Sequence, residues 1–225
     1  MGYPFVPRFR DRADGGRFLA KHLSAYKGKD ALVLGIPRGG VPVAAEVARL
    51  LDVELDIIVA RKLGAPHSPE LAIGAVTANG GRYLNEDMIL DLGVSPEYVE
   101  SVTAEETAEA KRREERFRGD WPKALIKNRV AILVDDGLAT GATMRAAVRS
   151  VRLHEPAKIV VAAPVGSVEA CAALRKEADE VVCPRTPVEF MAVGLYYEDF
   201  GQTQDAEVCR ILHEHHAARK HPEKA

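Results

Sequence analysis

The chain has 225 residues, of which 47% are hydrophobic and 28% are charged. A chain of this length can bury enough surface to fold without disulfide or metal support, as one large domain or two small ones. Its 31 basic and 33 acidic residues give a net charge of −2, which lacks the basic excess of a general nucleic-acid or membrane-surface binder. The composition predicts an ordinary globular protein and says nothing about its chemistry.

Two further features bear on the location of the protein. The chain has no long apolar run that could cross a membrane, and its first segment, MGYPFVPRFRDRADG, has no apolar signal-peptide core. Its three cysteines, Cys171, Cys183 and Cys209, have spacings that match no Cys/His metal motif. We interpret them as buried free thiols, and we expect a cytoplasmic protein without a membrane partner.

Short apolar runs alternate with helical patterns along the chain. Buried strands are predicted at 31–36, 56–60, 129–134, 159–163 and 180–183. Helices are predicted at 11–26, 43–51, 144–151 and 168–176. This alternation predicts an α/β fold with a mainly parallel five-stranded sheet flanked by helices, whose core spans 29–183.

The segments outside this alternation are harder to interpret. Residues 61–82 are rich in glycine and proline, which predicts a long functional loop. The alternative is a hairpin, because apolar runs at 73–77 and 83–84 flank the turn signal Asn79-Gly80-Gly81. Residues 85–118 have a charge-rich helical pattern, which we interpret as a helical insertion with a solvated face.

The C-terminal segment 203–225 is predicted to be a helix and tail whose polar end frays from residue 213 onward. It contains four histidines, namely His213, His215, His216 and His221. Such a cluster could bind a metal, but a solvated tail is the favoured interpretation.

The most informative motif is VAILVDDGLATGATM at 130–144. A buried strand carries Asp135 and Asp136 to its carboxyl end, the edge where open α/β sheets bind ligands. Small residues and hydroxyls follow, and then a helix N-terminus, whose free amides favour a phosphate. Two acids can accept hydrogen bonds from vicinal hydroxyls, so the motif predicts a ribose 5-phosphate ligand. The alternative is that Asp136 only caps the helix.

This motif resembles the binding signature for phosphoribosyl diphosphate (PRPP) in type I phosphoribosyltransferases. The resemblance implies a single domain, 1–225, with that family's fold and a small hood at 184–200. It also implies that Asp135 and Asp136 are catalytic and hold the ribose hydroxyls. The 5-phosphate would be held by the loop residues Ala139, Thr140, Gly141, Ala142 and Thr143.

A second motif, GIPRGGVPVA at 35–44, also joins a buried strand to a helix. Gly39 and Gly40 would offer backbone amides and Arg38 a cation, although a tight turn is the simpler interpretation. The position resembles the family's pyrophosphate loop, which implies a cis peptide bond near Arg38. The resemblance extends the pyrophosphate site to Arg61 and Lys62, which could otherwise be two solvated cations.

The acceptor side of the site is less clear. The resemblance places Phe190, Tyr196 and Tyr197 in a hood over the base, although aromatic residues here serve core packing equally well. Glu70 and His67 are candidates for the general base, in a loop at 61–82 that would close over PRPP.

The resemblance implies a Mg²⁺-dependent enzyme that transfers phosphoribose from PRPP to a nitrogenous base in nucleobase salvage. Mg²⁺ would be held by substrate and water, with Asp135 or Asp136 as the protein ligands available. We expect a homodimer that does not bind nucleic acid. The alternative is a regulatory protein of the same fold that senses PRPP or a nucleotide and binds RNA or DNA. Ala139 lies where hypoxanthine/guanine-type members carry an acid, which argues against that specificity, and the sequence does not identify the acceptor base.

Overall fold

Eight strands and seven helices make up the part of the chain that the structure describes, residues 8–220 of a computed structural model. The strands are β1 Ala31–Gly35, β2 Glu54–Ile57, β3 Ala60–Ala65, β4 Ser68–Thr77, β5 Arg82–Leu84, β6 Val130–Val134, β7 Lys158–Ala162 and β8 Glu180–Val182. The helices are α1 Arg12–His22, α2 Gly40–Leu51, α3 Glu86–Asp91, α4 Pro96–Arg118, α5 Ala142–Arg152, α6 Val168–Leu174 and α7 Asp205–Lys220. Short 3₁₀ turns occur at Ser24–Tyr26 and Val193–Tyr196.

The central sheet has five parallel strands in the order β2-β1-β6-β7-β8. Its strands form because they are apolar on both faces, and every residue of β1 is buried. The predicted α/β fold with a five-stranded parallel sheet is confirmed. One boundary was wrong, because the chain leaves this sheet after Ile57 and Ala60 already begins a strand of another sheet.

Helices cover both faces of the central sheet. On one face, α1, α2 and α7 contribute apolar side chains such as Leu19, Val47 and Val208 to a core cluster. On the other face, α5 and α6 contribute Met144 and Leu174 to a second cluster. Within residues 8–220, no helix combines the length and the hydropathy that a bilayer span requires.

Residues 61–82 are not a structureless loop, so the hairpin alternative describes this segment. Strands β3, β4 and β5 form a three-stranded antiparallel sheet, and Gly80 donates its amide to the Thr77 carbonyl (3.0 Å) in the turn between β4 and β5. The reason is burial. Leu63 and Ile73 are fully buried in a cluster with Val99 of α4, which keeps the segment in register.

The helical insertion and the C-terminal segment are also more tightly packed than their polar sequences suggested. Helix α4 does not only present a solvated face, since Ala110 and Phe117 are buried against the core. Residues 213–220 are the last turns of α7 rather than a frayed tail. His213 and His216 pack on Trp121, with the His216 ring stacked at 4.9 Å. His221 lies outside the described residues.

A buried ion pair joins the insertion to the sheet. Both oxygens of Asp56, in β2, accept hydrogen bonds from Arg118 Nη1 at 2.5 and 2.6 Å, and Oδ2 also accepts the Ala124 amide at 2.8 Å. Both side chains are more than nine-tenths buried. Glu114 lies 3.4 Å from Arg118. Glu114 also pairs with Lys123 at 2.6 Å, so each of the two buried acids has a cation as its partner.

Replacing Arg118 with methionine should destabilise the protein strongly. The substitution leaves Asp56 buried without its cation, which costs about 3–5 kcal/mol of unfolding free energy, whereas Glu114 keeps Lys123 as a partner. Urea unfolding followed by circular dichroism measures this loss. Arg112→Met is the matched control, because Arg112 is exposed and pairs with Glu109 on the surface of α4. We expect it to change stability by less than about 1 kcal/mol, and equal losses in the two variants would contradict the role of the buried pair.

Candidate functional site

Two strand-to-helix loops meet at the carboxyl edge of the central sheet. The first follows β1 and spans 36–39, and the second follows β6 and spans 135–141. Because β1 and β6 are neighbouring parallel strands, both loops leave the sheet side by side, and the Ile36 amide donates to the Val134 carbonyl at 2.9 Å. This edge of an open α/β sheet is the usual place for a ligand.

Close packing at two glycines joins the loops. A Cβ on Gly39 would overlap Asp136 Oδ2, and a Cβ on Gly40 would lie 2.7 Å from the Val134 carbonyl oxygen. No other residue type allows this approach. The Pro37–Arg38 peptide bond is cis, as predicted. The Gly40 amide is not available to a ligand, however, because it donates to the Ile36 carbonyl at 3.0 Å as α2 begins.

The acid pair, Asp135 and Asp136, is part of this contact between the loops. Asp135 Oδ1 accepts the Asp136 amide at 2.8 Å. Burial and the negative charge of Asp136 raise the pKa of Asp135 well above its usual range. Burial also raises the pKa of Asp136, and the guanidinium of Arg12 opposes that rise. Two carboxyls in one buried place hold a proton readily, and a nearby cation favours their ionised form.

Arg12 is part of the site, although its sequence context gave no signal. It lies in the polar first turn of α1, and only the fold brings it across to Asp136. Its Nε is 2.8 Å from Asp136 Oδ2, its Nη1 donates to the Gly201 carbonyl at 2.7 Å, and its guanidinium lies 4.0 Å above the Phe200 ring. The Arg12 and Asp136 side chains are only 13% and 14% exposed. Arg12 therefore joins the acid pair to the segment that follows the hood.

The predicted phosphate loop has the expected shape. Leu138 is buried, whereas Ala139 and Thr140 are exposed. Gly141 has a φ of +75°, and α5 begins directly after it at Ala142. The Ala139 carbonyl accepts a hydrogen bond from the Ser167 hydroxyl at 2.8 Å, which attaches the loop to the residue before α6. The five predicted residues, Ala139, Thr140, Gly141, Ala142 and Thr143, therefore lie together at a helix N-terminus, where backbone amides favour an anion.

The three predicted cations have acidic partners within the protein. Arg38 lies 3.2 Å from Asp205 at the start of α7. Arg61 lies 2.6 Å from Glu106 of α4, and Lys62 lies 3.3 Å from Glu70. The structure thus pairs these side chains with acids of the helical insertion, the hairpin and α7, rather than with the acid pair.

The predicted hood aromatics pack against one another. Phe190 stacks on Tyr196 at 5.5 Å, and Tyr197 stacks on Phe200 at 5.1 Å. Tyr197 is 2% exposed and donates its hydroxyl to the Asp136 carbonyl at 2.7 Å. The packing interpretation therefore describes Tyr196 and Tyr197, and Tyr197 also supports the acid pair.

Of the two general-base candidates, His67 lies in the connection between β3 and β4, and Glu70 lies near the start of β4. His67 is exposed there, with a φ of +61°, and the Glu70 side chain is 96% exposed. The ion pair of Glu70 is with Lys62 of the same hairpin. The structure therefore places both candidates on an exposed tip, separate from the contacts that build the acid pair.

Several known proteins are similar to this chain in sequence or in structure. The family profile of the phosphoribosyl transferase domain matches residues 10–198. Two Mycobacterium tuberculosis proteins, MT0597 of strain CDC 1551 and Rv0571c of strain H37Rv, are each 46% identical to the chain over 208 residues. Both are provisionally named phosphoribosyl transferases. The match covers 92% of this chain and 47% of each relative, so the chain spans about half the length of these proteins.

A solved structure is similar over nearly its whole length. The crystal structure of TT1426 from Thermus thermophilus has 45% sequence identity and a TM-score of 0.78, and the match covers 92% of this chain and 98% of that one. The fold and site define an α/β protein with paired acids and a loop of small residues at the carboxyl edge of a parallel sheet. Within that class, the chain belongs to the phosphoribosyl transferase domain family, and the resemblance seen in the acid-pair motif is confirmed.

Replacing Arg12 with glutamine should destabilise the protein in a pH-dependent way. Without the guanidinium, the main influence that opposes burial is lost, so the pKa of Asp136 rises further. A carboxyl whose pKa is higher in the folded state stabilises the fold at low pH and loses this contribution as pH rises through the folded pKa. Urea unfolding should show a loss of about 1–3 kcal/mol near pH 8 and a smaller loss near pH 4.

Arg10→Gln is the matched control for this experiment. Arg10 is close by in sequence, but its side chain is 72% exposed and pairs with Asp14. We expect a change within about 0.5 kcal/mol at both pH values. A loss in Arg12→Gln that is equal at the two pH values would contradict the ion pair with Asp136.

Proposed function

We propose that the protein is a PRPP-dependent phosphoribosyltransferase, which transfers the ribosyl 5-phosphate group to a nitrogenous base and releases pyrophosphate. The observation that carries the proposal is the contact of Gly39 with Asp136. In this contact the loop after β1 packs against the acid pair, which leads directly into the loop before α5. A ligand with a phosphate, vicinal hydroxyls and a second anionic group matches these three parts. Family membership supports the same conclusion.

In this proposal the acid pair binds the ribose hydroxyls. Carboxylate oxygens accept hydrogen bonds from vicinal hydroxyls, and such bonds are strong because the acceptor is charged. Arg12 keeps Asp136 oriented, and it favours the ionised form that accepts these bonds. Tyr197 holds the Asp136 backbone through its carbonyl.

The two anionic ends of PRPP would bind on either side of the ribose. The 5-phosphate lies at the α5 N-terminus, with the amides and hydroxyls of Ala139, Thr140, Gly141, Ala142 and Thr143. The pyrophosphate lies along the loop of Arg38 and Gly39, with Gly40 allowing the close approach. Arg61 and Lys62 would exchange their present acidic partners for the diphosphate. Negative charge develops on the departing pyrophosphate, so cations in this position lower the barrier.

The acid pair also fits the Mg²⁺ that the family implies. The carboxylates are hard oxygen donors, and Asp135 or Asp136 would hold an ion whose other ligands are substrate and water. Bound Mg²⁺ supplies positive charge that neutralises the diphosphate. We further propose that the protein acts in the cytoplasm, as a homodimer, in the salvage of a purine or pyrimidine base.

The direct test is pyrophosphate release from PRPP in the presence of adenine, guanine, xanthine, uracil or orotate, each assayed separately. Release with one base would support the proposal and identify the acceptor. Calorimetry of PRPP with the protein alone measures binding separately from turnover. Failure to bind PRPP in the presence of Mg²⁺ would refute the proposal.

Asp136→Asn should lower turnover by about 100-fold or more, because the substitution removes the charge that holds the ribose hydroxyls. The fold should be preserved, since asparagine has nearly the same shape as aspartate. Initial rates of pyrophosphate release and circular dichroism check the two expectations. Asp91→Asn, an exposed position in α3, is the control and should keep the parent rate. A parent-like rate in Asp136→Asn would overturn the role of the acid pair.

A double variant tests the general-base candidates on the hairpin tip. If Glu70 or His67 accepts the acceptor's proton when the hairpin lies over the substrate, the variant Glu70→Gln, His67→Asn should lose about 100-fold or more in turnover. PRPP binding measured by calorimetry should change little. Full activity of the double variant would remove both residues from the mechanism.

A further inference from the structure

Two cysteines that the proposed reaction does not use lie side by side beneath the phosphate loop. Cys171, in α6, is fully buried, and Cys183, directly after β8, is half-buried. A Cβ placed on Gly166 would be 3.1 Å from Cys183 Sγ and 3.3 Å from Cys171 Sγ. Both sulfur atoms therefore pack against the same glycine, although the residues are distant in sequence.

The two thiols also form a hydrogen bond with each other. A hydrogen bond from Cys183, together with the charge of Arg175, lowers the pKa of the Cys171 thiol to about 7. The same hydrogen bond and burial raise the pKa of Cys183. Cys171 is therefore the sulfur of the pair that ionises more readily, and thiolates are the form of cysteine that peroxides oxidise.

We propose that Cys171 and Cys183 are a redox-modification site that closes to an intramolecular disulfide on reaction with hydrogen peroxide. The Cys171 thiolate attacks one peroxide oxygen, the O–O bond breaks, and Cys171 becomes a sulfenic acid as hydroxide leaves. The Cys183 sulfur then attacks the Cys171 sulfur, and the S–O bond breaks as the S–S bond forms. The second hydroxide takes the Cys183 proton, and the first takes the proton that Cys171 had released. Two thiols and one peroxide thereby give one disulfide and two waters.

Cys171 is fully buried, so hydrogen peroxide has to reach it past its half-buried neighbour Cys183. Hydrogen peroxide is small and uncharged, so it can approach where a larger disulfide oxidant cannot. The third cysteine, Cys209, is on α7, and its sulfur lies 3.6 Å from the Arg116 carbonyl oxygen. It therefore belongs to another part of the fold and provides an internal control.

Hydrogen bonds connect the phosphate loop to residues 165–167, which lie beside the two thiols. Leu138 donates its amide to the Val165 carbonyl at 3.0 Å, and its own carbonyl accepts the Ser167 amide at 2.8 Å. The Ser167 hydroxyl donates to Ala139. A disulfide requires an S–S distance of about 2.05 Å, so it draws the first turn of α6 toward the end of β8. Because both sulfur atoms pack against Gly166, oxidation should shift the backbone that supports the phosphate loop and weaken PRPP binding. This consequence rests on the proposed function, whereas the disulfide does not.

The first experiment measures the cross-link. The full chain is treated with hydrogen peroxide, its remaining thiols are alkylated, and it is digested with trypsin without reduction. Trypsin cleaves after Arg175 and Lys176, between the two cysteines. We expect one peptide pair joined through Cys171 and Cys183, with Cys209 alkylated. The same joined pair should form in Cys209→Ser and be absent from Cys183→Ser.

Alkylation of both Cys171 and Cys183 after peroxide treatment would overturn the proposal, as would conversion of either to sulfinic acid without a cross-link. Circular dichroism confirms that Cys183→Ser remains folded. If this variant does not fold, the comparison of the parent with Cys209→Ser still decides the result.

The second experiment measures PRPP affinity by calorimetry before oxidation, after oxidation and after reduction with dithiothreitol. We expect about a tenfold weaker affinity in the disulfide form, restored by reduction, and no change in peroxide-treated Cys183→Ser. Equal affinities of the reduced and disulfide forms would overturn the link to the loop. If the reduced protein fails to bind PRPP, the proposed function fails, and the cross-link result still decides the disulfide.

Discussion

The contact between Gly39 and Asp136 is the constraint on which the rest of the site depends. Neighbouring parallel strands deliver two loops to one edge of the sheet, but side chains would ordinarily keep those loops apart. Glycine at 39 and 40 removes that obstacle, and the cis Pro37–Arg38 bond is part of the resulting turn. Arg12 Nε also lies against this contact, 3.2 Å from where a Gly39 Cβ would be. A binding site for several chemical groups is thereby assembled from short, rigid segments.

The electrostatics of the site depend on local pairing rather than on overall charge. The net charge is −2, yet the acid pair is buried beside Arg12, and the cations proposed to bind the diphosphate have acidic partners. Partly exposed ion pairs of this kind contribute little to stability, about 1 kcal/mol or less each. A ligand with several negative charges can therefore replace those acids at low cost. The proposed anion site therefore does not require a strongly basic surface.

The helical insertion, the hood and the C-terminal helix contact the loops and strands of the site, which their composition did not predict. The antiparallel sheet of β3–β5 packs on α4, whose Arg118 is held by the buried Asp56 of the central sheet. Helix α7 carries Asp205, the partner of Arg38. The aromatic cluster of the hood includes Tyr197, which holds the Asp136 backbone. The insertion, the hood and the C-terminal helix are thus each connected to a loop or strand of the site.

The sequence by itself determined the parts that are local in the chain. Apolar strands, the Asp135-Asp136 pair, the small-residue loop and the Gly39-Gly40 turn are each contiguous, so periodicity and motif predicted the α/β sheet, the site loops and the family. The tertiary structure decided what depends on long-range contacts. Arg12 meets Asp136, Arg38 meets Asp205, and Cys171 meets Cys183 only because distant segments pack together. The hairpin at 61–82 likewise needed α4 for its buried face. No periodicity encodes such partners, because a side chain's contacts across the fold are set by packing and not by its sequence neighbours.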